Sequence, residues 1–204
     1  SYFFASRFIR RYGARTIAVC QADERELVRR GVPRARLETI WNGVAQPKRD
    51  GAREAALAER LGIRQGRDVV VGTAARLDQS KGLDTLIAAF AKTAATRPAL
   101  KLVIAGSGAL EGELRRQAAA TAVADRIVIA GYLDPATDLI GMLDIFAQPS
   151  RHEAMSLAFL EAMALGVPAI GSDVGGIPEQ IVDGETGYIV RVDDISALAA
   201  RIGG

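Results

Sequence analysis

The chain has 204 residues, of which 49% are hydrophobic and 25% are charged, and its formal net charge is +2. This composition is ordinary for a soluble globular protein of one large or two small domains, so the chain can bury a sizeable core. No apolar run approaches the roughly 18 residues of a membrane-spanning helix, and the first residues lack the pattern of a signal peptide.

The charge is unevenly distributed along the chain. Residues 1–67 hold 15 Lys/Arg against 7 Asp/Glu, and the remainder holds 11 against 17. A basic first third would suit an acidic partner or an anionic membrane. We favour the alternative that these arginines are simply solvated. Cys20 is the only cysteine and sits in an apolar run, so we expect it to pack as a thiol in a reducing compartment, the cytoplasm.

The first residues interleave aromatic and basic side chains. The apolar members are Tyr2, Phe3, Phe4, Phe8, Ile9 and Tyr12, and the basic ones are Arg7, Arg10, Arg11 and Arg15. This pattern fits a basic amphipathic helix in peripheral contact with the cytoplasmic face of a membrane, or a helix packed on its own domain, which we favour. The first residue is Ser and not Met, so we expect a fragment.

Before Asp68 the pattern of elements is mixed. We predict a strand at 16–19, a helix at 24–30 and an extended run at 37–40, which ends in Trp41-Asn42-Gly43. Residues 51–66 are polar and rich in alanine, so we predict a helix there, within a connector.

From Asp68 onward, a short β-branched run, a glycine-containing turn and a stretch with helical apolar spacing alternate. The predicted strands are 69–72, 102–105, 127–130, 145–147, 169–172 and 188–190. The predicted helices are 83–96, 110–120, 137–143, 156–165 and 177–182, and a last one begins at Ile195.

This alternation predicts the fold class. Strands separated by single helices need right-handed crossovers, so they form a parallel sheet with helices on both faces, an α/β Rossmann-like fold. Gly166 and Pro168 directly follow one predicted helix, which is the usual punctuation of a helix C-terminus.

In open parallel sheets, ligands bind beyond the carboxyl ends of the strands, and three loops there carry candidate residues. The first, "TAARLDQSKG", places Arg76 and Lys81 on either side of a turn that leads into a helix. Two cations beside a helix N-terminus form an anion site that would fit a diphosphate. The alternative is that both are ordinary surface charges.

The second loop is glycine-rich. Its sequence "GSGALEG" runs from Gly106 to Gly112 and nearly satisfies the fingerprint of dinucleotide-binding folds. However, no convincing acid ends the following strand, and this is not the first βα unit. We therefore expect the glycines to serve left-handed turns.

The third loop, "PSRHEAMS", leads into the predicted helix at 156–165. We predict Glu153 at the loop tip and Glu161 about a turn into the helix. The first N–H groups of the helix are available to phosphate oxygens, and they belong to Met155, Ser156, Leu157 and Ala158.

The two carboxylates indicate the class of ligand. A carboxylate beside a phosphate site repels the ligand unless it binds hydroxyls or a developing cation, and a nucleotide sugar offers both. Glu161 would accept hydrogen bonds from ribose hydroxyls, although an ordinary solvated acid is the alternative. His152, the only histidine, is adjacent to Glu153, but we expect a structural role for it.

At these residues the chain resembles the retaining GT-B glycosyltransferases of the family-four type, a large group that includes mannosyl- and glucosyltransferases using nucleotide sugars. The resemblance covers "IWNGV", "RLDQSKG", "IAGSGALEGEL", "IAGYL" and "PSRHEAMSLAFLEAMALGVPAIGSDVGGIPEQIVDGETGYIV". The last stretch combines two glutamates that have seven residues between them with the loop "GVPAIGSDVGGIPE", and it is highly specific. One departure is Ala154-Met155-Ser156, where the family usually has Gly-Phe-Gly, so Ser156 adds a side chain beside the phosphates.

The resemblance implies roles for individual residues. Arg76 and Lys81 would hold the donor diphosphate, and Glu153 would contact hydroxyls of the donor sugar. Glu161 would hold the ribose. The amides around Met155, Ser156, Leu157 and Ala158 would hold phosphate, and the backbone near Leu133 would meet the base.

The resemblance also implies the chemistry. Arg76, Lys81 and the helix end would stabilise the negative charge on the departing nucleoside diphosphate, which would be UDP or GDP. Glu153 would oppose the positive charge of the sugar. The family is generally metal-independent and uses no cofactor, and we see no ligand cluster for a metal in the sequence. A front-face displacement is the usual proposal, because no nucleophile for a double displacement is evident.

The resemblance divides the chain into three segments. Residues 1–44 would end an N-terminal acceptor-side domain, 45–67 would connect, and 68–204 would form the C-terminal nucleotide-sugar-binding domain, truncated at its end. We therefore expect the chain to bind the donor but not to transfer alone, since the missing domain would hold most of a sugar or lipid acceptor. We expect no nucleic-acid partner.

Three other functions are open at this point. A sugar-nucleotide epimerase of GT-B architecture would keep the nucleotide site, but the spacing of "EAMSLAFLE" argues against it. An NAD-dependent oxidoreductase would rest on "GSGALEG". A non-catalytic module would bind no nucleotide at all.

Overall fold

A computed structural model describes residues 15–204. The basic aromatic helix considered for residues 2–15 therefore lies, apart from Arg15, outside the described residues. The strands are β1 Thr16–Ala18, β2 Leu37–Thr39, β3 Val69–Ala74, β4 Leu100–Ala105, β5 Ile127–Gly131, β6 Ile145–Gln148, β7 Ala169–Ser172 and β8 Gly187–Val190. The α-helices are α1 Gln21–Arg29, α2 Gly51–Arg60, α3 Leu83–Ala94, α4 Glu111–Ala119, α5 Thr137–Ile140, α6 Leu157–Ala164, α7 Ile177–Gln180 and α8 Ile195–Gly203.

Six strands form one sheet in the order β5-β4-β3-β6-β7-β8, and every neighbouring pair is parallel. The chain first moves outward from β3 to β5, and then returns to the other side of β3 at β6. The strand order therefore reverses between β3 and β6, which is where open parallel sheets bind ligands. The predicted Rossmann-like sheet is confirmed.

Both faces of this sheet are buried, as expected for parallel strands that are rich in Val and Ile. Val71 and Leu102 pack on one face against α3 and α8, within a cluster that includes Phe90. Val70 and Phe146 pack on the other face, where the ring of Phe146 meets that of Phe159 edge-on at 5.1 Å between centroids. These two cores hold the strand ends that carry the site in place.

The helix α2 confirms the helix predicted within residues 51–66. Its Leu57 and Ala58 are buried in the second core, so this segment packs on the large sheet as well as connecting to it. The remaining two strands, β1 and β2, form a separate parallel pair, and α1 connects them. We refer to residues 16–41 as the small unit.

All six predicted strands of the large sheet are present, but several helix ends differ. The helix α1 begins at Gln21 and not at Glu24, because acceptors from outside the helix bind its first amides. The helix α5 ends at Ile140, where Gly141 lies close to the carboxylate of Glu54. The helix predicted at 177–182 ends at Gln180, since the next residue is extended. A long-range acceptor decides the start of α1, and local spacing does not show it.

Candidate functional site

The loops after β3 and β6 meet where the strand order reverses. In the first loop, the carboxylate of Asp78 accepts a hydrogen bond from the Ser80 amide at 2.9 Å and so starts a short 3-10 turn over Gln79–Lys81. The amide of Arg151, in the second loop, donates to the Ser80 carbonyl at 2.7 Å. This contact brings the two loops together and places Lys81 beside the segment that contains Glu153.

A cavity of about 240 Å³ opens at the carboxyl ends of β3 and β4. Four residues predicted from the sequence line it together, namely Arg76, Leu133, Ala158 and Glu161. The rest of the wall is formed by Ala74, Ala75, Ala105, Gly106, Ser107, Tyr132 and Ala136. The cavity thus offers an apolar surface with one cation and one carboxylate at its border.

Arg76 is free to turn toward a ligand. Its side chain is 77% exposed, and its ion pair is with Asp78 at 3.2 Å. An exposed pair of this kind holds a guanidinium weakly, so an incoming anion competes for it at little cost.

Lys81 and Glu153 lie together. The Lys81 Nζ is 2.5 Å from the Glu153 Oε2, and both side chains are only 12% exposed. Gln148 Nε2 donates to the same oxygen at 2.8 Å. Glu153 lies near the middle of the loop between β6 and α6, and these two donors draw its carboxylate inward. Within the described residues, its second oxygen has no hydrogen-bond partner.

Ser156 differs from its predicted role. Its amide donates to the Gln180 Oε1 at 3.1 Å, and its hydroxyl donates to the Gln148 Oε1 at 3.2 Å while accepting from the Phe159 amide at 3.4 Å. Ser156 is the N-cap of α6, and the helix begins one residue later than predicted. Its amide is therefore not available to phosphate, and its buried side chain is engaged by Gln148 and Phe159.

The open amides of the helix start belong to other residues. In the described part of the chain, the N–H groups of Met155, Leu157 and Ala158 have no hydrogen-bond acceptor. Those of Leu157 and Ala158 lie in the first turn of α6, where the helix dipole favours an anion. Ala158 also lines the cavity that contains Arg76.

Glu161 lies one turn further along α6, in the wall of the same cavity. Burial raises the pKa of its carboxyl group above the ordinary glutamate value. No described residue donates a hydrogen bond to it, so the desolvation of its carboxylate is uncompensated. A carboxylate without a partner beside a cavity is suited to bind hydroxyl groups of a ligand.

The loop after β7 supports the backbone of Glu153. A Cβ atom at Gly175, whose φ is 53°, would lie 1.6 Å from the Glu153 carbonyl oxygen. The Gly176 amide donates to the Ala154 carbonyl at 2.6 Å. Only glycine allows this approach, so the segment "GGIPE" holds the loop that carries the first acid.

The glycines of the second loop also serve close packing. A Cβ atom at Gly106 would lie 1.8 Å from the Ala75 carbonyl oxygen, and one at Gly108 would lie 2.4 Å from that of Leu77. Gly106 has a positive φ of 138°, in the region that favours glycine, whereas Gly108 has no positive φ, so the expectation of a left-handed turn is wrong for Gly108. Contact with the loop after β3 explains these glycines and removes the residue-level argument for a dinucleotide site.

Sequence reasoning missed three groups at the site. Gln148 and Gln180 are buried amides that connect Glu153 to Ser156, and a polar residue inside the apolar run "IFAQPS" was the available signal for the first. Arg151 binds Asp84 at 2.7 Å and Asp193 at 2.8 Å. These ion pairs clamp the loop after β6 against the start of α3 and the turn before α8, and the same hydrogen bonds raise the pKa of Arg151 above its ordinary value.

Other candidates receive less support from the structure. His152 is exposed on the loop before Glu153. Residues 15–204 contain no group of three His, Cys, Asp or Glu side chains that could hold a metal ion, and none of their helices is long and apolar enough to cross a membrane. Cys20 is buried, as predicted, and burial raises the pKa of its thiol.

Residues 58–203 match the family described as Glycosyl transferases group 1. The chain belongs to this family. The match confirms the resemblance inferred from the motifs, and the α/β fold matches GT-B glycosyltransferase structures.

Individual proteins are similar over most of this chain. An N-acetyl-alpha-D-glucosaminyl L-malate synthase of Bacillus anthracis is 31% identical over 87% of this chain and 45% of its own length. A GDP-mannose-dependent alpha-(1-6)-phosphatidylinositol monomannoside mannosyltransferase of Mycolicibacterium smegmatis is 34% identical over 84% and 47%. The structure of HepE from Anabaena in complex with UDP-glucose has a TM-score of 0.87 and 25% identity, covering 97% of this chain and 55% of that one. The chain thus spans about half the length of the relatives it matches.

Proposed function

We propose that this chain supplies the donor-binding half of a retaining glycosyltransferase, which transfers a hexosyl group from a UDP- or GDP-linked sugar to a sugar, lipid or small-molecule acceptor. The observation that carries the proposal is the convergence of Arg76, Leu133, Ala158 and Glu161 on one cavity where the strand order reverses. Lys81 and Glu153 lie on the loops adjoining it. The likeness to HepE bound to UDP-glucose supports the same ligand class.

In the proposal, the nucleotide occupies the cavity from base to phosphates. The backbone at Leu133 meets the base, and Glu161 accepts hydrogen bonds from the ribose hydroxyls. The amides of Leu157 and Ala158 at the start of α6 bind phosphate oxygens, and Met155 adds a third open amide just before the helix. Base identity would depend on backbone groups and loop shape more than on charge.

Lys81 and Glu153 act as a pair that changes partners. Lys81 turns from Glu153 to the diphosphate, where it neutralises charge together with Arg76. Glu153, still held by Gln148, then accepts hydrogen bonds from sugar hydroxyls and opposes positive charge at the glycosyl centre. No metal ion is needed for these roles, because two cations and helix amides face the leaving group.

In the proposal, transfer with retention proceeds by a front-face displacement. As the glycosidic bond to the diphosphate breaks, its electron pair leaves with the phosphate. The acceptor hydroxyl oxygen attacks the same face of the cationic sugar, and the hydroxyl proton passes to the departing phosphate oxygen. Preorganised donors at the leaving group contribute on the order of a few kcal/mol each. The acceptor is bound mainly by a part of the enzyme that this chain does not contain, so the chain alone binds donor without transferring it.

The cellular setting is part of the proposal. A lone buried thiol supports a reducing compartment, the cytoplasm. Peripheral contact with the cytoplasmic face of a membrane would involve the basic segment before Thr16.

Titration with UDP, GDP and ADP tests the proposal, with binding measured by calorimetry and by the change in melting temperature. One nucleotide should raise the melting temperature of the parent, and raise it less for Arg76→Ala and Lys81→Ala. Arg67→Ala, an exposed arginine at the opposite end of β3, is the control and should respond like the parent. If none of the three nucleotides binds, the proposal is contradicted. Detectable transfer by the isolated chain contradicts the assignment of the acceptor to a missing part.

A further inference from the structure

One carboxylate on α7, a helix connecting two strands of the large sheet, binds three groups of the small unit. The Glu179 side chain on α7 accepts hydrogen bonds from the amides of Gln21 and Ala22 and from the indole N–H of Trp41, each at 2.9 Å. The donors and the acceptor are separated by more than a hundred residues along the chain. This interaction therefore joins the small unit to the large one.

The interaction is strong for physical reasons. Gln21 and Ala22 begin α1, where the helix dipole favours a negative charge, and hydrogen bonds to a charged acceptor are stronger than neutral ones. Burial raises the pKa of Glu179, but the hydrogen bonds from the three donors lower it by more than burial raises it. The pKa therefore lies below the ordinary glutamate value. Glu179 stays ionised and bound over the whole neutral range.

A short path of contacts connects this carboxylate to the candidate site. Cys20, the N-cap of α1, lies against Gly176, where an added Cβ atom would be 2.8 Å from the Cys20 Cβ. The Gly176 amide in turn binds the Ala154 carbonyl, and Ala154 follows Glu153. The start of α1 thus lies on the loop that holds the first acid of the site.

We propose that Glu179 is a positioning residue, which fixes the start of α1 on the loop behind Glu153 and transmits occupation of the donor site to Trp41. The second half rests on the function proposed above. When Lys81 leaves Glu153 for a diphosphate, the backbone of residues 153–154 adjusts, and the glycines packed on it carry the change to α7. Trp41 is the only tryptophan of the sequence, so tryptophan fluorescence reports the surroundings of this one residue.

The positioning role is tested without any ligand. Glu179→Met keeps the volume but removes both acceptor oxygens, and Glu179→Gln keeps one. The amides of Gln21 and Ala22 should exchange with deuterium roughly tenfold faster or more in Glu179→Met, and to an intermediate extent in Glu179→Gln.

Glu185→Gln is the matched control, since Glu185 is an exposed acid in the neighbouring turn, and it should leave exchange and Trp41 emission unchanged. Unchanged exchange of β4 amides shows that the variants are folded. Equal protection of Gln21 and Ala22 in the parent and Glu179→Met would overturn the positioning role.

The coupling to the donor is tested by adding UDP or GDP. Nucleotide should alter Trp41 emission in the parent, and the alteration should disappear in Glu179→Met while the calorimetric affinity stays within about twofold. An equal response in both proteins, or no response in a parent that calorimetry shows to bind, would overturn the coupling. If no nucleotide binds the parent, the proposed function and the coupling fail together, while amide exchange still decides the positioning role.

Discussion

The two ends of the central strands each hold a mostly buried lysine paired with a buried carboxylate, yet the two pairs differ in what surrounds them. At the amino end, Asp68 accepts from the amide and guanidinium of Arg64 and pairs with Lys101 at 3.3 Å. At the carboxyl end, Glu153 pairs with Lys81 and keeps one oxygen without a partner among the described residues. Fully paired charges stabilise the fold, whereas charges with unused hydrogen-bonding capacity mark the end of the sheet that binds ligands.

The largest expected difference between the ends concerns nucleotide affinity. Lys81→Met should weaken binding of the nucleotide about 30-fold, because it removes a charge-assisted hydrogen bond worth about 2 kcal/mol. Lys101→Met removes a lysine of similar exposure, 16% against 12%, and should leave the affinity unchanged. Calorimetry of both variants checks this, and equal losses of affinity would abolish the distinction.

The next effect concerns stability at the amino end. Asp68→Asn should lower the free energy of unfolding by about 1.5 kcal/mol, since it weakens charge-assisted hydrogen bonds to a buried group, and it should not change nucleotide affinity. Denaturant unfolding measures the loss.

The pH dependence of that loss has a definite sign. Hydrogen bonds from Arg64 hold the pKa of Asp68 well below its usual range, against the opposing effect of burial. A lowered folded-state pKa gives stability that is complete above about pH 4 and declines as the pH falls, so the gap between parent and Asp68→Asn should narrow in acid. A gap that widens in acid contradicts this assignment.

Gln148 offers a smaller, more selective change at the carboxyl end. Gln148→Met keeps a similar volume but no longer holds Glu153, so the affinity for a nucleotide sugar should fall about fivefold. The affinity for the nucleoside diphosphate alone should not change, because Glu153 is assigned to the sugar. A parallel loss for both ligands would show that Gln148 supports the whole site and does not orient one acid.

The smallest effect concerns Glu161. Burial raises its pKa, so its ionised form costs stability, and Glu161→Gln should melt no lower than the parent while binding nucleotide about threefold more weakly at neutral pH. As the pH falls, the parent should begin to lose affinity at a higher pH than an ordinary glutamate carboxyl group would cause, and the variant should not. A melting temperature that falls with Glu161→Gln would indicate a structural role.

Much of the fold could be predicted because its signals are local. The six strands of the large sheet are β-branched runs separated by single helices, and that alternation requires parallel pairing with both faces covered. The approximate place of Arg76, Lys81, Glu153 and Glu161 followed as well, since loops that leave parallel strands share one end of the sheet.

The partners of those residues could not be predicted, because they come from distant parts of the chain. Ser156 is a plausible phosphate-binding residue by position, but the amide of Gln180, 24 residues further along, already binds its N–H group. Local spacing also predicts that α1 begins at Glu24. The helix begins three residues earlier, because the carboxylate of the distant Glu179 binds its first amides. Secondary structure here reflects short-range preference until a long-range acceptor shifts a boundary.

The sequence by itself determined the class of fold, the family and the end of the sheet at which chemistry is possible, since each depends on periodicity or on a short motif. Only the tertiary structure decided which charges are already paired and which remain available. Lys81 and Glu153 are 72 residues apart, and no pattern in the sequence indicates that their side chains meet. A pairing of that kind depends on how two loops pack, and packing is a property of the whole folded chain.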